Sequence, residues 1–208
     1  MARALLILVL GIVLRAAIVD RIAATVGREV IPDSLVWEQI RLAALMEGAE
    51  PDLSLENRRK MLERLIEQTL IRREVEFTRF PPAQDADAAP LLDQVKSRYP
   101  GGLADALERR GVSEQTLAAQ LRWQVTMLRF IEYRFQPAIQ VSDSQLRREY
   151  RRQAAAWREH NSGEPPPLDD MRPQLEKILR QQLTDSALDR WLGEVRTQNT
   201  ILYRGDYR

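Results

Sequence analysis

Residues 114–135 read EQTLAAQLRWQVTMLRFIEYRF, and the spacing of their apolar side chains decides the predicted fold. Ser113 in front of this stretch is a typical helix N-cap and Pro137 behind it is a typical helix end, so the sequence predicts one long helix. Two largely apolar stripes cover much of its circumference, which is typical of a helix that lies at the centre of a domain or exposes one face to a partner. The first stripe consists of Leu117, Leu121, Gln124, Leu128, Ile131 and Phe135, and the second of Trp123, Met127, Phe130 and Arg134.

Helical patterns dominate the chain on both sides of this stretch. On the N-terminal side the sequence predicts a helix from a cap at Asp33 or Ser34 to about Glu47, and a second from Ser54 to about Phe77. An Ala/Asp-rich loop is expected to precede a short helix at about 91–98, and another helix at 103–110 ends at Gly111. On the C-terminal side, helices are predicted at about 144–157, capped by Ser142 or Asp143, and at about 170–196.

Strand patterns are confined to the two ends of the chain. Two β-branched runs within Ile18–Ile31 flank Gly27, which predicts a small hairpin that Pro32 terminates. Residues 200–203 form a short β-like run. The predicted fold class is therefore mostly α, a multi-helix domain with a small hairpin and terminal-strand element that the C-terminal helix completes.

Composition argues against an enzyme. The 208 residues contain no cysteine and one histidine, His160, which excludes a disulfide framework, a cysteine nucleophile and a histidine-rich metal cluster. Glycine-rich phosphate loops, nucleophile elbows and zinc-protease motifs are missing from the sequence. Lys and Arg number 31 against 30 Asp and Glu, so no basic field indicates nucleic acid. We therefore predict no catalytic residues, no metal and no cofactor.

The first 17 residues have the features of a secretory signal. A basic start at Arg3 precedes an apolar run from Ala4 to Leu14 and the small residues Ala16 and Ala17. The run is too short to cross a bilayer comfortably, although a retained membrane anchor is the alternative. We predict export to the periplasm and removal of residues 1–17.

Five short motifs, in order, resemble those of the SurA/PrsA-like periplasmic chaperones. Each motif is weak alone, but together they cover nearly the whole chain after the predicted signal peptide. They are VDRIAATVG at 19–27, ERLIEQTLI at 63–71, LERRGVS at 107–113, VSDSQL at 141–146, and the helix from Met171 to Arg196.

One departure from that family shapes the functional prediction. The resemblance implies a parvulin-type prolyl isomerase domain between the VSDSQL helix and the last helix, but only residues 159–168 occupy that interval, and three of them are prolines. A domain needs at least about 50 residues. The predicted organisation is a chaperone core at 18–158, a Pro-rich linker at 159–168, and a C-terminal helix and strand at 169–208 that pack back on the core.

The resemblance implies an ATP-independent chaperone that holds unfolded exported polypeptides, including outer-membrane proteins. Because residues 159–168 leave no room for an isomerase domain, we predict that the chain has no isomerase activity. Trp37, Trp123, Met127 and Phe130 are the candidate client-binding residues, because broad aromatic faces and adaptable Met side chains suit many sequences. The competing interpretation is that these four side chains are bundle core. The other functional alternatives are an isomerase-related foldase and a membrane-tethered scaffold for one dedicated partner.

A second candidate contact surface is a basic ridge on the helix at 144–157. Its members are spaced i, i+1, i+4 and i+5, so they share one face; they are Arg147, Arg148, Arg151 and Arg152. Acidic clients or anionic headgroups would suit it, and a solvated helix face is the simpler alternative.

The expected partners of the protein are unfolded polypeptides, and nucleic acid is not an expected partner. Membrane contact is expected only if the N-terminus is retained, and a domain-swapped homodimer stays open beside a monomer.

Overall fold

The computed structural model describes residues 20–161 and 163–208. The predicted signal peptide at 1–17 and the first residues of the predicted hairpin lie outside these ranges. The described residues form a mostly α fold with one small antiparallel sheet, which confirms the predicted fold class. The helices are α1 (Asp33–Glu47), α2 (Leu55–Phe77), α3 (Asp85–Ser97), α4 (Leu103–Arg110), α5 (Glu114–Phe135), α6 (Asp143–His160) and α7 (Leu168–Gln198), and the strands are β1 (Ile22–Val26), β2 (Glu29–Pro32) and β3 (Ile201–Tyr203).

The sheet brings the two ends of the described chain together in the order β2-β1-β3. β1 and β2 form the predicted hairpin, and Gly27 adopts φ +58° in its turn. β3 pairs antiparallel with the other edge of β1, so that Thr25 lies opposite Leu202. Because the terminal strand completes the sheet, the N-terminal hairpin and the C-terminal helix belong to one folded unit.

The start of α1 differs from the prediction. Pro32 is still in β2, opposite Ile22, and it also occupies the N-cap position of α1. Neither Asp33 nor Ser34 caps the helix, because both take part in contacts with distant residues. The Asp33 amide donates to the Arg21 carbonyl over 2.7 Å, its carboxylate accepts from Tyr207, and the Ser34 hydroxyl bonds to Asp20.

Three of the predicted side-chain caps are confirmed. The hydroxyls of Ser54, Ser113 and Ser142 accept from the amides of Asn57, Thr116 and Gln145 at the starts of α2, α5 and α6. Each hydroxyl satisfies an N–H group that the helix leaves without an intrahelical partner.

The prediction of an Ala/Asp-rich loop before α3 was wrong. That segment is the first half of the helix, which begins at Asp85 rather than near Leu91. Gln84 and Asp87 form a reciprocal capping box, in which the Gln84 amide donates to the Asp87 carboxylate over 2.8 Å. Pro90 lies near the middle of this helix, so the helix continues through a proline.

Helices α6 and α7 are both longer than predicted, and residues 161–167 connect them. They pack on each other around a small apolar cluster that contains Leu146, Leu175 and Leu179. The second half of α7 packs on α2 and α5 and places Leu192 in the main core. Across the described helices, none combines the length and the apolar character that crossing a bilayer requires.

Candidate functional site

A groove of about 310 Å³ lies between α1, α2, α3 and α5, where the main core meets a second apolar cluster. Each helix contributes side chains one turn apart, such as Arg64 and Gln68 on α2 and Gln120 and Gln124 on α5. This i, i+4 spacing places both members of a pair on one helix face. We call this feature the glutamine groove.

The apolar part of the groove contains two methionines. Met61 is buried, whereas Met46 is half-buried. Unbranched Met side chains adapt their shape to different ligands. The apolar lining consists of Leu42, Ala43, Met46, Met61, Leu91 and Leu121, with Val95 beside them.

The polar part of the groove consists mainly of uncharged amides. Five of the lining side chains are glutamines, namely Gln39, Gln68, Gln94, Gln120 and Gln124. Among the described residues, none of these side-chain amides makes a hydrogen bond, and Gln94 accepts bonds only at its backbone carbonyl, from Ser97 and Arg98. A primary amide offers two donors and a carbonyl acceptor. The groove therefore presents unused donors and acceptors around an apolar surface.

Helix α3 is held against the end of α1 by two side chains that follow one another. Arg98 donates from Nη1 to the Met46 carbonyl over 2.8 Å, and the Tyr99 hydroxyl donates to the Leu45 carbonyl over 2.6 Å. Both carbonyls belong to the last turn of α1, where helix geometry provides no regular i+4 donor. These bonds fix one wall of the glutamine groove.

The predicted contact residues of α5 lie on a different face of that helix. Phe130 is 1% exposed and Trp123 is 7% exposed, and both belong to the main core, against which Met127 packs. The Phe130 ring makes an edge contact with Phe80 at a centroid distance of 5.5 Å. This face of α5 covers the core, so Phe130 is inaccessible to a client in this conformation.

Trp37 lies on α1, far in sequence from Trp123, Met127 and Phe130, and it contacts a different part of the fold. It is half-buried on α1, and the Arg58 guanidinium lies 4.7 Å from its ring centroid. None of the four predicted client-binding residues lines the glutamine groove. Whether any of them contacts a client stays a prediction.

The basic ridge on α6 carries less free charge than its four arginines imply. All four are exposed, but Arg152 pairs with the largely buried carboxylate of Glu149, with Nη2 2.7 Å from Oε1 and Nε 3.0 Å from Oε2. The hydrogen bonds from Arg152 hold the pKa of Glu149 below its usual value. Arg147, Arg148 and Arg151 remain as the exposed part of the ridge without an ion pair among the described residues.

Acid–base or metal chemistry finds little support in the described part of the chain. Burial raises the pKa of Glu67, but this carboxylate lies 3.4 Å from Arg196 in an ion pair that joins α2 to α7. Within residues 20–161 and 163–208, no three His, Asp or Glu side chains are arranged to hold a metal ion. The unused amides and the apolar lining make the glutamine groove a candidate binding site.

The sequence contained one signal for this groove. Gln124 interrupts the first stripe of α5, where a core helix would carry an apolar residue. Gln120 lies one turn before it, but Gln39, Gln68 and Gln94 lie on three other helices, and their convergence depends on how those helices pack. No protein-family model matches the chain, and no curated protein matches it significantly.

Proposed function

We propose that this protein is an ATP-independent chaperone that holds unfolded exported polypeptides, and that an extended client segment binds in the glutamine groove. The observation that carries the proposal is the combination of five unused amides with an adaptable apolar surface. The resemblance of the sequence to the SurA/PrsA-like chaperones supports the same function.

The chemistry of the amides suits a client whose sequence is not specified. Every peptide unit of an extended chain has a carbonyl and, except at proline, an N–H group. A glutamine amide can donate to the first and accept from the second. Because these amides are neutral, they discriminate little between acidic and basic clients.

The apolar lining suits weak and reversible capture. Client side chains would bury apolar area at about 25 cal/mol per Å², and Met46 and Met61 can adjust to their shapes. A groove of about 310 Å³ covers only a short segment of a client. Modest affinity for each segment allows release without a nucleotide-driven step.

The proposal assigns no prolyl isomerase reaction to this chain. Only residues 161–167 separate α6 from α7, whereas an additional domain needs at least about 50 residues. The Pro-rich connection also contacts the α6–α7 pair, because the Tyr150 hydroxyl donates to the Pro166 carbonyl over 3.0 Å. We therefore expect no acceleration of proline-limited refolding beyond the effect of suppressed aggregation.

Light scattering tests the proposal directly. A urea-unfolded outer-membrane protein is diluted into buffer without nucleotide, with and without the chain at stoichiometric ratio. The wild type should suppress aggregation, and a triple variant with Gln68→Ala, Gln120→Ala and Gln124→Ala should suppress it several-fold less. Alanine has the highest helix propensity, so the variant should keep its helices.

A matched triple variant controls for the loss of three glutamines. Gln115, Gln174 and Gln182 are exposed on helices and do not line the groove. Replacing these three with alanine should leave the suppression intact. Absence of suppression by the wild type would contradict the chaperone function, and equal activity of the two triple variants would contradict the role of the groove.

A further inference from the structure

A second pocket lies across α5 from the glutamine groove and shares none of its lining residues. It has a volume of about 460 Å³ and is bounded by the last turns of α2, the segment 79–83 and the face of α5 that carries Ala119, Arg122, Trp123 and Thr126. We call it the arginine pocket, after Arg72, Arg79 and Arg122.

The charges in this pocket are unbalanced. Its lining has three guanidinium groups against one carboxylate, that of Glu76. Arg122 is already paired with Asp85 of α3. Neither Arg72 nor Arg79 forms an ion pair with another described residue, so both retain donors for an anionic ligand.

Arg72 is positioned by an aromatic ring. Its guanidinium carbon lies 4.0 Å from the centroid of the Trp123 ring, a close cation–π contact. Stacking on the face of the ring leaves the edge of a guanidinium, which carries its N–H groups, available for hydrogen bonds. Trp123 is 7% exposed and belongs to the core, so packing fixes the position of the ring on which the Arg72 guanidinium stacks.

Arg79 occupies a backbone conformation that usually belongs to glycine. After the last residue of α2, the Phe80 amide donates to the Val75 carbonyl over 3.0 Å and the Arg79 amide donates to the Glu76 carbonyl over 3.1 Å. This is a Schellman motif, and Arg79 has the left-handed φ of +53° that the motif requires. A side chain there costs about 1 kcal/mol or more. Arg79, despite this strained backbone conformation, supplies one of the two arginines in the pocket that form no ion pair with a described residue.

The apolar wall of the pocket is held in place by a buried hydrogen bond. The Ala83 amide donates to the Thr126 hydroxyl over 2.9 Å, which fixes the segment that follows Pro81 and Pro82 against α5. Val75 and Trp123 provide apolar surface beside the arginines. The ligand should therefore combine an anionic group with an adjacent apolar group.

We propose that the arginine pocket binds the C-terminal carboxylate of an unfolded polypeptide whose last residues are apolar. The inference rests on the proposed function, since it assumes that clients are unfolded chains. Guanidinium groups bind carboxylates with paired, charge-assisted hydrogen bonds. In a polypeptide, only the C-terminus places a carboxylate on the backbone of a residue that also carries an apolar side chain.

Fluorescence anisotropy of labelled peptides tests this proposal. A ten-residue peptide with two apolar C-terminal residues is compared with the same peptide carrying a C-terminal amide and with an amidated peptide that has one internal glutamate. The free carboxylate should bind at least about tenfold more tightly than both amidated forms. If the free-carboxylate peptide and its amidated form bind with equal affinity, the proposal is overturned. If the amidated peptide with an internal glutamate binds as tightly as the free-carboxylate peptide, the specificity for the C-terminus is overturned.

Variants of the pocket provide the second part of the test. Arg72→Gln and Arg79→Gln should each reduce the preference for the free carboxylate, whereas Arg109→Gln, an exposed arginine of α4, should not. Arg79→Gly should lose the preference without lowering the melting temperature, because it relieves the left-handed strain. Persistence of the preference in both pocket variants overturns the inference, whereas failure of aggregation suppression would contradict only the general chaperone function.

Discussion

Arg73 of α2 donates from Nη1 to Oδ1 of Asn199 over 2.9 Å, and this bond joins α2 to the capping residue that follows α7. The same guanidinium also bonds to the Val26 carbonyl and to the Glu29 carboxylate at the hairpin turn. One side chain therefore connects the hairpin, α2 and the C-terminal helix, which are far apart in the sequence.

Replacing Arg73 with an apolar residue should destabilise the fold. Arg73→Leu leaves the Val26 carbonyl and the Asn199 amide oxygen without their donor, and each such loss costs about 1–3 kcal/mol. We expect the free energy of unfolding to fall by about 2 kcal/mol in urea denaturation. The exposed Arg109→Leu is the control, and an equally small change in both variants would refute the connecting role.

A side chain at position 27 should destabilise the hairpin turn. Gly27 has φ +58°, and an added Cβ would lie 3.1 Å from Nη2 of Arg73. Gly27→Ala should therefore lower the free energy of unfolding by about 1–2 kcal/mol. Gly101 has open space around it and no positive φ, so Gly101→Ala should have a negligible or slightly stabilising effect. Equal melting temperatures for the two variants would contradict this account.

The C-terminal turn should contribute a pH-dependent stabilisation. The Tyr207 hydroxyl donates to the Asp33 carboxylate, and burial together with this bond raises the pKa of Tyr207 to about 12. The pKa of tyrosine in the unfolded chain is about 10. The stabilisation is therefore complete below about pH 10 and is lost as the pH rises from about 10 to about 12.

Urea denaturation of Tyr207→Phe at several pH values measures this contribution. At neutral pH the variant should be about 1–2 kcal/mol less stable than the wild type, because a bond to a charged group is lost. The difference in the free energy of unfolding between wild type and variant should become smaller towards pH 12. Tyr133 is 68% exposed, so Tyr133→Phe is the control. A gap for Tyr207→Phe that stays constant up to about pH 11.5 would contradict the linkage.

The α6–α7 pair should open independently of the main core. Leu175 is 0% exposed and belongs to the small cluster between these helices, whereas Leu192 belongs to the main core. Leu175→Ala removes buried volume at a cost of about 2–5 kcal/mol. Hydrogen exchange should accelerate in α6 and the first half of α7, and stay slow in α2 and α5.

Leu192→Ala is the matched comparison for that experiment. The same loss of volume in the main core should accelerate exchange throughout the described helices, because it lowers the global free energy of unfolding. If Leu175→Ala accelerated exchange in α2 and α5 to the same extent, the two clusters would form one cooperative unit.

Local sequence signals predicted the helices well where a capping residue directly preceded a segment with helical spacing of apolar residues. Ser54, Ser113 and Ser142 each preceded a periodic segment, and each caps a helix in the structure. The prediction was wrong where a local signal was ambiguous. The Ala/Asp-rich segment before Leu91 was predicted as a loop, but the capping box of Gln84 and Asp87 starts a helix there, and this helix continues through Pro90.

The candidate site was less predictable because its residues come from different helices. The second stripe of α5 predicted a contact surface, but Trp123 and Phe130 are needed to fill the core. Gln120 and Gln124 gain their significance only beside Gln39, Gln68 and Gln94, which α1, α2 and α3 contribute. No short sequence window contains this arrangement.

The sequence by itself determined the helical fold class, the small hairpin and strand, and a composition with no cysteine and a single histidine, because periodicity, caps and composition can be read without knowing the tertiary structure. Only the tertiary structure decided which face of α5 is buried and which polar side chains converge. Those outcomes depend on the packing of helices across long sequence separations. This packing buries residues of both α5 stripes, and it places Gln120 and Gln124 in the glutamine groove and Arg122 in the arginine pocket.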